Sequence, residues 1–114
     1  MEYSAYIYFD EIKICKISYS DNNLDTYEYV FEPLYQVLDA LSPTEFKGIQ
    51  GIDLRLRKEK YVRKNLQPVF IFERNPIRKK KNFQELQRVG GISLLEYIAN
   101  SNMSYFGDKL NIKP

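Results

Sequence analysis

The chain predicts a small single α+β domain, residues 1–114, in which an N-terminal antiparallel β-meander is followed by a few short packed helices. Three observations carry this. Up to Phe31 the chain holds three β-branched and aromatic runs separated by polar turns. Helix-spaced apolar residues occur only in short pieces after Pro33. Finally, 114 residues, 44% of them apolar, suffice for one core and not for two.

The opening hairpin pairs Ala5–Phe9 with Ile12–Tyr19 across Asp10 and Glu11, and the second run alternates with period two. Ser20–Asn23 is turn chemistry, and Thr26–Phe31 is a third strand with Tyr27, Tyr29 and Phe31 on one face. Pro33–Leu41 predicts a short helix with proline in its first turn and Leu34, Val37, Leu38 and Leu41 at helical spacing. Ile52–Arg57 alternates as a half-buried strand would, with Ile52, Leu54 and Leu56 inward. Pro68–Phe72 is a short apolar run whose bulky residues favour strand on propensity. A basic connector runs from Pro76 to Lys81. A helix follows from near Asn82, using Phe83, Leu86, Gln87 and Val89, until Gly90–Gly91 ends it. Ser93 caps a helix over Leu94–Ala99, with Glu96 completing a capping box, and Lys109–Ile112 supplies an edge strand.

A formal net charge of +2 hides a partition along the chain. Residues 1–50 carry nine acids against three bases, and residues 51–81 carry eleven bases against three acids. The middle segment therefore either neutralises the acidic first half or offers a positive surface to a partner. The sequence lacks histidine, the commonest general base and metal ligand, and its one cysteine, Cys15, sits in an apolar alternation as a small core residue. No catalytic constellation, metal set or cofactor motif stands out, so a non-enzymatic protein with no cofactor is expected. No run approaches the ~20 apolar residues of a membrane span. The N-terminus lacks a basic leader and a cleavage pattern, which leaves a cytoplasmic protein without a membrane partner as the expectation.

Two binding chemistries remain. Basic side chains interleaved with Tyr61, Phe70 and Phe72 are what a nucleic-acid surface uses, although no recognition motif accompanies them and the acidic half would repel phosphate. The alternative is a protein partner, for which tyrosine and phenylalanine are common anchors.

The order of features resembles the HipA N-terminal subdomain family. Tyr6-Ile7-Tyr8-Phe9, the aromatic strand from Tyr27 to Pro33, Ile52–Arg57, Tyr61 and the run Pro68-Val69-Phe70-Ile71-Phe72 stand in the family's order. Pro76, Ser93-Leu94-Leu95 and Gly107-Asp108-Lys109-Leu110 follow. Within that family the chain resembles the stand-alone HipS-type subunits of HipBST toxin–antitoxin modules more closely than the subdomain of the full kinase. That resemblance implies helix rather than strand at Pro68–Phe72. It also implies an antitoxin that binds and inhibits a HipT-like serine/threonine kinase, with a HipB-like DNA-binding protein as a further partner. Such a subunit presents an aromatic near the kinase active site. With no tryptophan in the chain, the resemblance puts Tyr61 and Phe70 or Phe72 in that role, and Arg55, Arg57, Arg63 and Arg74 against the kinase's acidic residues.

Overall fold

The computed structural model describes residues 1–23, 26–74, 87–101 and 109–114. Its centre is a five-stranded antiparallel sheet in the order β4-β3-β2-β1-β7. β1 (Glu2–Phe9), β2 (Ile12–Asn23) and β3 (Thr26–Pro33) form the expected meander, with β4 (Tyr61–Lys64) added at one edge and β7 (Leu110–Lys113) at the other. The α+β class and the C-terminal edge strand are thus as the sequence predicts. Alternation decides which face is covered. Ala5, Ile7 and Phe9, then Cys15, Ile17 and Tyr19, then Tyr29 and Phe31, together with Leu110 and Ile112, all point to one buried side. That side is roofed by Phe70 and Ile71 of α2 (Val69–Arg74) and by Leu94, Leu95, Ile98 and Ala99 of α3 (Leu94–Asn100). Among the described residues, no helix is long and apolar enough to cross a membrane.

Several elements depart from the expectation. Pro33 ends β3 instead of opening a helix, and α1 is the single turn Tyr35–Leu38, continued by bonds from Ala40 N–H and Leu41 N–H to the carbonyls of Val37 and Leu38. Ile52–Arg57 is not a strand: Leu54–Leu56 forms a 3-10 turn. Asp53 is the cause, because its side chain accepts from the Arg55 N–H at 3.1 Å and so closes the backbone locally, while Arg57 at φ 49° breaks any extended run. The strand that pairs with β3 lies a few residues later, at Tyr61–Lys64. Pro68–Phe72 takes the helical alternative. The helix placed before Gly90–Gly91 lies outside the described residues from Asn82 to Leu86. Beyond it, Arg88–Val89 is a short strand, β5, paired with β6 (Ile92–Ser93). Gly90 and Gly91, at φ 57° and 88°, form the two-residue turn with two left-handed positions that such a hairpin needs. Ser93 caps α3 as predicted, its Oγ accepting from the Glu96 N–H at 3.1 Å.

Cys15 is fully buried beneath this roof, and burial pushes its thiol up to about 12. Alkylation by iodoacetamide near neutral pH is therefore expected to be negligible in the folded protein and rapid in denaturant. Modification of the folded chain at the denatured rate would place the thiol outside the core.

Candidate functional site

The basic stretch from Asp53 to Lys64 is held to the body of the domain by a set of phenol-to-carbonyl bonds. Tyr61, the first residue of β4, turns inward and donates from its hydroxyl to the Asp53 carbonyl at 2.7 Å. The same hydroxyl accepts from the Lys58 N–H at 3.3 Å and lies 3.3 Å from the Tyr35 hydroxyl. Tyr35 in turn donates to the Lys58 carbonyl at 2.5 Å. Burial, with Tyr61 as its hydrogen-bond neighbour, raises the Tyr35 phenol well above its ordinary value, so it stays a neutral donor. Two tyrosines from separate elements thus fix the loop that carries Arg55, Arg57, Lys58 and Lys60.

The arginines of this loop bring their own counter-ions. Arg55 grips Asp53 with its Nε and a terminal nitrogen at 2.9 and 3.0 Å. Arg57 reaches across to Asp39 at 2.8 and 3.1 Å and lies over the Tyr35 ring at 4.6 Å. Each arginine holds its carboxylate partner below the usual range. The Arg57–Asp39 pair joins the basic segment to the acidic first half, which is the internal neutralisation the charge partition allows. Both arginines also line an open cleft with Tyr35, Leu38, Phe46 and Leu54. Arg63 donates to the carbonyls of Val62 and Gly51 at 3.1 and 2.7 Å. Gly51 is itself pressed against the start of α2. A Cβ there would sit 3.3 Å from Val69 Cβ, and its φ of 94° suits only glycine.

The residues expected at a partner surface therefore divide. Tyr61 and Phe70 belong to the core and not to the surface: Tyr61 is consumed by the bonds above, and Phe70, 0% exposed, meets Phe31 edge to face at 6.4 Å. Arg74 is also reassigned. It is 4% exposed, its guanidinium covers the Phe70 ring at 3.8 Å, and it donates to the carbonyls of Phe70 and Leu110. Phe72 remains outside, 36% exposed. One helical turn before it is Val69, 48% exposed, and three residues earlier Leu66, 60% exposed. Sequence reasoning passed over Val69, whose spacing of three with Phe72 is readable only once a helix is assumed, and Leu66, which lies before that helix begins.

Asp21, which the sequence places in turn chemistry, lies instead at the end of β2 as a buried, heavily bonded carboxylate. Arg88 of β5 donates to it twice, at 2.9 and 2.5 Å, and the Tyr19 hydroxyl donates at 2.5 Å. The Arg88 guanidinium leads in holding Asp21 at about 2, against the opposing effect of burial, with Tyr19 adding to it. Beside this cluster the buried Tyr29 hydroxyl donates to Gln87 Oε1 at 2.5 Å. These bonds fasten the β5–β6 hairpin to the sheet. Among the described residues, no group of histidine, cysteine or carboxylate side chains is arranged to hold a metal ion.

Compared with family models, with curated proteins and with solved structures, the chain matches none of them.

Proposed function

We propose that this domain is a non-catalytic subunit that binds a serine/threonine kinase toxin of the HipT type and holds it inactive, in a cytoplasmic complex that also accommodates a HipB-like DNA-binding protein. The observation that carries the reading is the exposed apolar face of α2, Val69 and Phe72, with the exposed Leu66 shortly before it in the chain and Arg63 of the cationic strand tied to its start. Arg63 bonds Gly51, and Gly51 packs on Val69, so the basic strand is tied to the start of the helix that carries the apolar face. An exposed aromatic among apolar side chains, with arginines nearby, is a common composition of a protein-binding hot spot. The family resemblance supplies the kind of partner. Within it, Phe72 takes the anchoring role, and Arg55, Arg57 and Arg63 contribute the charges that steer an acidic cleft toward it.

Affinity purification of the tagged chain from its native cells at moderate salt tests the reading. The expected result is a stoichiometric serine/threonine kinase, lost on Phe72→Asp. That substitution removes the proposed anchor and is expected to weaken binding by at least ~30-fold, about 2 kcal/mol, while leaving the melting temperature within a few degrees because the position is exposed. Recovery of no kinase, or full retention by the Phe72→Asp variant, would overturn it.

A further inference from the structure

The face of the sheet opposite the helices is uncovered by any described element, and its composition is not that of an ordinary solvated surface. Tyr6 and Tyr8 stand two residues apart on β1 and point to that side, opposite in phase to the buried Ile7 and Phe9. Register places Lys16 across from Tyr6 and Lys13 across from Tyr8 on β2, and Lys113 across from Tyr6 on β7. Two of these lysines already lie over ring faces: the Lys13 ammonium is 4.0 Å from the Tyr6 centroid and the Lys113 ammonium 4.8 Å from that of Tyr8. Carboxylates flank this cluster: Glu2 lies on the same side at the far end of β1, opposite Ser20, and Glu32 and Glu28 of β3 face Lys16 and Ser20.

We propose that the open surface of β7, β1 and β2 is a platform for single-stranded nucleic acid, Tyr6 and Tyr8 stacking on two successive bases and Lys13, Lys16 and Lys113 taking phosphates. The spacing of the rings is set by the strand, about 7 Å for two residues, a stride that an extended single strand matches and a stacked duplex does not. Rings on a sheet with cations on both sides combine the two terms such binding uses, sequence-tolerant stacking and phosphate neutralisation. An ammonium that now rests on a tyrosine moves to a phosphate beside the stacked base, so neither partner is left uncompensated. The acids of β3 bound the site on one side and confine the strand to the β7–β2 half of the sheet. This surface is distinct from the α2 face, so it neither requires nor excludes a kinase partner.

Fluorescence anisotropy of the full chain with labelled oligo(dT) and oligo(U) of roughly 12 nucleotides reads the proposal. Binding is expected at about 50 mM salt and to weaken with a log–log slope that includes about −2 from the three lysines, at roughly −0.7 per phosphate contact on a single strand. Tyr6→Leu with Tyr8→Leu, which keeps the sheet's apolar cover, is expected to weaken binding at least tenfold. The triple change Lys13→Gln, Lys16→Gln and Lys113→Gln is expected to flatten the slope by about 2 without altering the fold, and remains informative should the tyrosine variant fail to fold. The proposal is overturned by the absence of binding at low salt, by equal binding of a duplex of the same length, by equal competition from poly-glutamate, which would assign the face to acidic peptides, or by a Lys58→Gln, Lys60→Gln variant losing as much as the sheet variants.

Discussion

Replacing Asp21 by asparagine is expected to destabilise the domain by about 2–3 kcal/mol, the cost of leaving buried donors without a charged acceptor, which corresponds to a fall of roughly 10 °C in Tm at this chain length. The carboxylate side chain is 1% exposed and receives three side-chain hydrogen bonds, two from Arg88 and one from Tyr19. Asparagine has one acceptor oxygen in place of two and no charge, so Arg88 loses its bidentate partner and the hairpin of β5 and β6 loses its tie to β2. The effect must also depend on pH. Asp21 titrates at about 2 in the fold, below the value of about 3.9 expected in the unfolded chain. A carboxyl depressed in this way gives its full stabilisation above the unfolded value and loses it as pH falls toward the folded one. Urea titrations should therefore show the full difference between wild type and Asp21→Asn near neutral pH, a shrinking difference from about pH 4 downward, and little by about pH 2. A difference unchanged across that window would mean that the carboxylate charge contributes nothing and that only shape matters at the position.

That Asp21 escaped sequence reading while its neighbours did not shows where legibility ends. Strands β1 to β3 were readable because one side of the sheet is dry and the other wet, and a period of two records that division directly in the residues. Asp21 continues the inward phase of Cys15, Ile17 and Tyr19, but a carboxylate there reads as the end of the strand, because its compensation comes from Arg88, 67 residues away. Arg74 hides for the same reason: a cation in a basic segment reads as surface, whereas its place over Phe70 is a tertiary fact. Ile52–Arg57 failed differently. Its alternation mimics a strand, yet Asp53 offers its backbone a local bond that an isolated short strand cannot match. Gly90–Gly91 was ambiguous in principle, since a helix stop and a tight hairpin turn both call for left-handed backbone. Of the seven residues expected at the partner surface, the structure keeps Arg55, Arg57, Arg63 and Phe72 accessible and assigns Tyr61, Phe70 and Arg74 to the interior.

The pair Phe70 and Phe72 turns that last division into the second large expected effect. In a strand, residues two apart share a face, and both rings would be core or both surface; in a helix they are separated by about 200° and point to opposite sides. The backbone bond from the Phe72 N–H to the Pro68 carbonyl at 2.9 Å commits the segment to the helix, and the consequence is one aromatic at 0% exposure and one at 36%. Phe70→Ala is accordingly expected to cost about 4 kcal/mol, the sum of lost burial and the cavity it leaves. Two contacts go with the ring, the edge-to-face meeting with Phe31 and the cover it gives the Arg74 guanidinium, so the site cannot close over the gap without moving a buried cation. Against a total stability of roughly 5–15 kcal/mol this brings the domain near its unfolding threshold. Phe72→Ala is expected to cost under ~1 kcal/mol in the same denaturant titration. Comparable losses at the two positions would mean that the segment is not helical in solution, and would remove the apolar face of Val69 and Phe72 on which the partner-binding proposal stands. A large loss at Phe70 with none at Phe72 leaves Phe72 free for a role that stability does not explain, and makes kinase binding by the Phe72 variant a test of function uncontaminated by folding.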